Sequence, residues 1–312
     1  MIASLTTPKR VTRSILMIAA LGALSACAGQ PQQYAPPTQS SKTVPAIYQA
    51  REDDGKEIKA INPAYLVERN RRQIVPYHGP EAVGTIVIDP YARFLYYITA
   101  PGKAERYGVA VGREGKGFAG TAEIKRKQEY PSWTPTQNMI KEDPDLYGPL
   151  KDGLPGGLDN PLGARALYLY KNGKDTYYRI HGTMDPSSIG RATSAGCIRL
   201  FNQDIIDLFN KVPLDTPVKV RNREESLEME GPVVQLHSGY VVSAYNQVAI
   251  NADEEAYKAG RIPDQSKVEQ EQHQASVALA EQVGGSGENA RSSVDCSYDG
   301  TGTCSDIGTM NN

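Results

Sequence analysis

Apolar and polar residues alternate in short runs across the middle of the chain. Gly84-Thr-Ile-Val-Ile-Asp89 reads as a strand, and Asp89-Pro90 marks the turn that ends it. Phe94-Leu-Tyr-Tyr-Ile98 is a second aromatic and β-branched run, so the two predict a hairpin. Arg106 to Gly112, Glu123 to Lys125, Leu167 to Tyr170, Tyr177 to Ile180 and Thr216 to Val220 add further strands. Short strands at this spacing predict a mostly antiparallel sheet or sandwich. One helix stands out, with Asn202 as its N-cap, apolar residues at 205, 206, 208 and 209, and Pro213 beyond its end. A shorter helix is expected around Tyr65 to Arg72. No repeat at a period of about 20–50 residues is visible, which excludes solenoids and propellers.

The chain has 312 residues, room for one large or two ordinary domains, and 39% of them are hydrophobic, enough for a core. The net charge of −2 hides an uneven distribution: net +3 over residues 1–26, +5 over 27–222 and −10 over 223–312. That excludes a nucleic-acid binder, which needs a concentrated basic face. A mildly positive middle suits a substrate rich in carboxylates. Lys9, Arg10 and Arg13 flank an apolar stretch from Ile15 to Leu24. This is too short to cross a bilayer of roughly 30 Å, so residues 1–26 read as an export signal. Leu24-Ser25-Ala26-Cys27 resembles the lipobox of bacterial lipoproteins, which makes Cys27 the lipidation candidate. More than one acyl chain gives a stable anchor. Ala28 in place of Asp implies, by resemblance to Gram-negative lipoproteins, an outer-membrane protein of the cell envelope that faces the periplasm. Residues 27–60, which include Gln30, Pro31, Gln32 and Gln33, read as a flexible tether with a reach of roughly 30 Å. Residues 61–82 form a lead-in. Residues 223–262 are an accessory segment, and 263–312 a largely disordered acidic tail.

Four cysteines remain to be sorted. Cys296 and Cys304 lie in the tail with seven residues between them and are a disulfide candidate in an oxidising compartment. Cys197 is left in the folded region. A nucleophilic thiol needs a nearby base, because an unassisted cysteine is only slightly ionised at neutral pH. His181 is the only histidine in this region and ends an expected strand. A loop with Pro186, Ser187, Ser188 and Gly190 can return the chain so that Cys197 meets it. Gly196 allows close backbone approach and an N–H for an oxyanion hole. The helix near Asn202 follows Cys197, and a helix N-terminus favours thiolate. Taken singly, a lone cysteine and a lone histidine are also ordinary packing residues.

The combined pattern, Ile180-His-Gly-Thr183 followed by Ser194-Ala-Gly-Cys-Ile-Arg199, resembles the L,D-transpeptidase (YkuD-type) family of bacterial cell-wall enzymes. Pro131-Ser-Trp133-Thr-Pro135 and Asn160-Pro-Leu-Gly163 match as well, and the resemblance covers a catalytic domain of roughly 83–222. Ala195 stands where many members have histidine. The resemblance implies a mainly β fold with α, a β-sandwich-like catalytic domain with a capping helix and disordered ends, and a cleft under a lid formed from part of residues 133–160. It makes Cys197 the nucleophile and His181 the proton donor and acceptor, with no cofactor and no metal. Ser194 orients His181 or lines the oxyanion hole with Gly196. Arg199, Gly182, Thr183 and Trp133 are substrate-binding candidates, Arg199 as partner of a carboxylate or as a structural ion pair. The implied reaction is attack on the meso-diaminopimelate carbonyl of a peptidoglycan tetrapeptide, release of D-Ala, and transfer to an amine in a 3→3 cross-link. Water as acceptor would make it an L,D-carboxypeptidase, and a protein amine would make it an anchoring enzyme for an envelope protein. A non-catalytic peptidoglycan-binding lipoprotein is the reading from another class, and a retained His/Cys pattern argues against it.

Overall fold

The structure, a computed structural model, describes residues 44–112, 118–193 and 197–262, together with Gln274 and residues 277–282. The chain opens with a small hairpin, β1 (Arg51–Asp53) and β2 (Lys56–Ile58). Then follow β3 (Gln73–Pro76), β4 (Ile86–Asp89), β5 (Phe94–Ala100), β6 (Lys103–Gly108), β7 (Ala110–Gly112) and β8 (Gly120–Glu129). Two short helices, α1 (Gln137–Glu142) and α2 (Pro144–Tyr147), separate β8 from β9 (Arg165–Lys171). β10 (Lys174–His181), β11 (Ala192–Thr193) and β12 (Ile198–Arg199) lead into α3 (Asn202–Lys211) and β13 (Pro217–Val220). α4 (Arg223–Glu230), the hairpin β14 (Val233–Gln235) and β15 (Val241–Ser243), and α5 (Gln247–Lys258) follow.

Among the described residues, eleven strands form one sheet in the order β11-β7-β12-β10-β9-β8-β13-β4-β5-β6-β3. Most neighbours are antiparallel. The pairs β10–β12, β11–β7 and β13–β4 are parallel. Strand side chains point alternately to the two faces, so each strand contributes one set inward. The inward set, with Ile88, Leu95, Ile124, Leu167 and Ile180, packs with Ile205 and Leu208 of α3 into the main core. Truncating one of these buried aliphatic side chains to alanine costs about 2–5 kcal/mol. β4, β5, β6 and β3 are apolar on their outer face too, where Val87, Phe94, Tyr96, Ile98, Ala104 and Val75 form a second cluster.

α4 packs against that outer face through polar groups. Arg221 donates to Glu230 at 2.7 Å and to Asp89 at 3.2 Å, all three buried. The Tyr96 hydroxyl donates to Glu230 at 2.9 Å, and Ser226 donates to Asp89 at 2.8 Å. Asn222 and Glu225 close a capping box that starts α4. Burial and the Glu230 charge push the Asp89 carboxyl up from its ordinary range.

Three expectations need revision. The stretch around Tyr65 to Arg72 is two 3-10 turns, Pro63–Tyr65 and Glu68–Asn70, instead of a helix. The Asn70 side chain reaches out to the carbonyls of Tyr65 and Ile189, both at 3.0 Å, which holds the segment as separate turns. The tether expected to residue 60 is folded from Val44 onward. Tyr48 is fully buried against Phe201, with ring centroids 5.6 Å apart, and Ile58 and Ile61 are buried as well. A few apolar anchors suffice where the composition is polar. Asn202 is the first helical residue of α3, and Phe201 holds the cap position. The Asn202 side chain is engaged elsewhere, as described below. Cys27, Cys296, Cys304 and most of the expected tail lie outside the described residues.

Candidate active site

β10 and β12 run parallel and in register, Ile180 beside Ile198 and His181 beside Arg199. The Gly112 N–H donates to the Cys197 carbonyl at 3.4 Å, which carries the β12–β7 ladder one residue back to Cys197. Ile180 and Ile198 are buried in the main core. Alternation therefore turns Arg179, His181, Cys197 and Arg199 to the opposite, outer face. Cys197 stands level with Arg179 and one diagonal step from His181, about 8 Å between backbones from strand spacing and rise. Both side chains project from the same surface. His181 is buried and Cys197 is half-buried.

The tautomer of His181 follows from its partner. Nδ1 lies 2.6 Å from the Gly182 carbonyl oxygen, which can only accept, so Nδ1 carries the proton. Nε2 is left as the basic nitrogen. Burial pushes the imidazole down to about 3, with the positive charges of Arg199 and Arg179 adding to the effect. The ring is neutral at physiological pH, as a general base must be.

Asn202 holds the turn after His181. Its Oδ1 accepts from the Thr183 N–H at 3.2 Å and the Ala164 N–H at 3.0 Å, and its Nδ2 donates to the Thr183 carbonyl at 2.8 Å. The amide occupies the space a side chain would need at two glycines. A Cβ on Gly182 would stand 2.2 Å from Asn202 Oδ1, and one on Gly163, at φ +61°, 2.4 Å from it. Thr183 is buried, and its Oγ1 donates to the Asp185 carbonyl at 3.2 Å and accepts from the Asp185 N–H at 3.0 Å. The loop beyond is fastened from the lead-in and from the β4–β5 turn. Arg69 and Arg93 both donate to the Gly190 carbonyl at 3.3 Å. Arg93 also donates to the Gly239 carbonyl at 3.0 Å, tying the β14–β15 hairpin to the same loop.

The chain between β8 and β9 makes a long excursion that carries α1 and α2. Trp133 and Leu154 pair across its base with backbone bonds of 3.0 and 2.7 Å. Asn160 donates to the Pro131 and Pro155 carbonyls, both at 2.8 Å. The Trp133 ring rests 6.2 Å from that of Tyr147.

Among the expected site residues, the structure brings His181, Cys197 and Arg199 onto one face. It places Gly182 and Thr183 in the turn beneath them and Trp133 at the foot of the excursion. Ser194 and Gly196 lie outside the described residues. Asn202, Arg179 and the Asn70–Arg69 clamp carry structural weight at the site that sequence reasoning missed. Asn202 was visible only as a helix start.

A mainly β fold that presents a neutral histidine at the end of β10 and a cysteine just before the parallel strand β12 defines a thiol–imidazole protein. The family model of the L,D-transpeptidase catalytic domain, YkuD, matches residues 84–220. The Fuscovulum blasticum protein of ORF 5 in the ATP synthase subunits region, provisionally named an L,D-transpeptidase, is 40% identical over 140 residues, 43% of this chain and 68% of that protein. The Escherichia coli K12 protein ErfK/SrfK, provisionally named likewise, is 36% identical over 139 residues, 44% of this chain and 43% of its own length. The chain thus spans less than half of that relative. A Brucella melitensis crystal structure, provisionally described as a carnitine operon oxidoreductase, is 49% identical over 49% of this chain and 94% of its own, with a TM-score of 0.36. At that TM-score the superposition carries no argument. The chain belongs to the YkuD-type L,D-transpeptidase family.

Proposed function

We propose that this protein is a peptidoglycan L,D-transpeptidase in which Cys197 is the nucleophile and His181 the proton carrier. The observation that supports this best is the shared outer face of His181 and Cys197, with Nδ1 of the imidazole committed to Gly182 and Nε2 left basic. Nε2 takes the thiol proton, and the Cys197 sulfur attacks the meso-diaminopimelate carbonyl of a tetrapeptide stem. As the C–N bond breaks, His181 returns the proton to the departing D-Ala amine. The thioester keeps the acyl energy without a nucleotide. An amine then attacks the thioester carbonyl, His181 accepts its proton, and the thiol is released with a 3→3 cross-link. General base catalysis of this kind contributes about 10²–10⁴-fold.

The remaining assignments follow the same reading. The oxyanion is assigned to backbone N–H groups near Gly196, and Ser194 to orienting His181 or lining the oxyanion hole. Arg199, on the same face as Cys197, pairs with a carboxylate of the stem or forms a structural ion pair. Gly182 and Thr183 act by shaping the turn, and Trp133 contacts the stem from the excursion. Cys27 carries the lipid that holds the domain to the membrane on the periplasmic side, and an amine on an envelope protein is the alternative acceptor.

The test is mass spectrometry of muropeptides after incubating full-length protein with tetrapeptide-rich sacculi. Cross-linked dimers that lack one D-Ala are expected from the wild type and absent with Cys197→Ala. Tripeptides without dimers would replace transfer by hydrolysis, and unchanged tetrapeptides would overturn the enzymatic reading.

A further inference from the structure

The face that carries Cys197 continues past β10. The β10–β9 register sets Arg179 opposite Tyr168 and His181 opposite Ala166. The β9–β8 register sets Tyr168 opposite Arg126 and Ala166 opposite Gln128. Two rows therefore cross the outer face: Cys197, Arg179, Tyr168, Arg126, and beside it Arg199, His181, Ala166, Gln128. The Tyr168 ring takes a guanidinium from each flanking strand, Arg179 at 4.4 Å and Arg126 at 4.5 Å from its centroid.

The two cations differ in how they are balanced. Arg179 is neutralised by a two-pronged pair with Asp175, at 2.7 and 2.8 Å. Arg126 is exposed, and among the described residues it forms no ion pair. Its hydrogen-bond partner is the amide oxygen of Gln128, a neutral acceptor that also takes the Tyr168 hydroxyl at 3.3 Å. Stacking and the amide fix the guanidinium against the Tyr168 ring without cancelling its charge. That position lies between two and three strand spacings, about 10–14 Å, from the strand of Cys197.

We propose that Arg126, held in place by Tyr168 and Gln128, is a carboxylate-binding subsite for the acyl donor. The inference rests on the acyl-transfer reading above and adds a substrate contact to it. A planar guanidinium fork matches a carboxylate in two-pronged geometry. The donor is the substrate whose carbonyl must lie on Cys197 during acylation, so the row that starts at Cys197 is the donor's. The carboxylate is one carried about 10–14 Å from the reacting carbonyl, between two and three strand spacings along that row.

The experiment uses the full chain and compares wild type with Arg126→Gln and Arg126→Lys. D-Ala release is followed with a tetrapeptide bearing free carboxylates, and with the same peptide amidated at every carboxylate except the C-terminal one. Arg126→Gln is expected to lower kcat/KM about tenfold on the free acid, the loss of one charged contact. Wild type and variant should be equal on the amidated peptide, and Arg126→Lys should recover part of the loss. Equal rates on the free acid, or the same drop on both peptides, would overturn the subsite. If the wild type releases no D-Ala, the transfer reading falls. Calorimetric binding of the free-acid tetrapeptide to Cys197→Ala, with and without Arg126→Gln, then decides the subsite. About tenfold weaker binding supports it, and unchanged binding overturns it.

Discussion

The strands β13, β4, β5, β6 and β3 and the strands β12, β10, β9 and β8 belong to one sheet and obey one alternation, yet they use their outer faces in opposite ways. In the first group that face is closed by Val87, Phe94, Tyr96 and Ile98, with α4 and its Arg221–Glu230–Asp89 cluster over it. In the second it shows His181, Cys197, Arg179, Tyr168 and Arg126. Both groups send an apolar set inward to the same core. Folding needs only the inward set, so the outer set is available either for a second seal or for chemistry. The comparison predicts that outer-face substitutions separate cleanly: stability in one half, activity in the other.

The largest effect is expected from Cys197→Ala. It should remove all transfer while the thermal midpoint moves by no more than a few degrees, as calorimetry would show. A large loss of stability would mean that the second half is also held together through its outer face. Next comes Arg221→Met in the sealed half. It leaves Asp89 and Glu230 buried without their cation, at a cost of about 3–5 kcal/mol. For a domain of this size that is about 10 °C in Tm. Turnover per folded molecule should stay at the wild-type level, and a parallel fall in turnover would break the division.

Asn202→Ala is intermediate, because Asn202 touches the site from the core side. It strips partners from the Ala164 N–H and from both backbone groups of Thr183. About 2 kcal/mol of stability should go, since an unsatisfied buried group costs about 1–3 kcal/mol. The rate of acylation should fall with it, as the turn that orients His181 loosens. Unchanged acylation in a destabilised variant would confine Asn202 to the fold.

The smallest effects are slopes of stability against pH. His181 is held down to about 3 in the folded chain and titrates near 6.5 when unfolded. The unfolded state binds the extra proton between those values, so this stabilisation is complete above about pH 6.5 and is lost as pH falls. Asp204 has the opposite sign. It is buried at the start of α3, where it accepts from the Tyr48 hydroxyl at 3.1 Å. Burial pushes its carboxyl up to about 7, from near 3.9 unfolded. The folded state therefore holds the extra proton, and stability falls as pH rises from about 4 to 7. Denaturant titrations between pH 4 and 6.5 should show His181→Gln lowering the slope and Asp204→Asn raising it. Each shift is at most about 1.4 kcal/mol per pH unit. Curves parallel to the wild type would contradict both assignments.

Much of this division was readable in the chain. Alternation and the Asp89-Pro90 turn marked β4 and β5, and the apolar positions 205, 206, 208 and 209 marked α3. The resemblance picked out His181 and Cys197, and the parallel register now sets them on one face. Other features were hidden for physical reasons. β7, β11 and β12 are two or three residues long, too short to show a period. The row of Arg126, Tyr168 and Arg179 depends on irregularities between Ile124 and Arg126 and between Asp175 and Arg179, which shift the parity that a sequence reader counts. α4 has no apolar stripe, because it docks through Ser226 and Glu230 onto buried charge. Tyr48 and Ile58 are isolated anchors in a polar stretch, so that stretch read as a tether.

The most direct test of the shared outer face is intact-protein mass spectrometry of the full chain trapped with tetrapeptide in the absence of an acceptor amine, followed by peptide mapping. The account predicts a mass gain equal to the tetrapeptide less D-Ala, borne by the peptide containing Cys197, and no gain in Cys197→Ala. An acyl group mapped to any other residue, or steady product formation by Cys197→Ala, would contradict it.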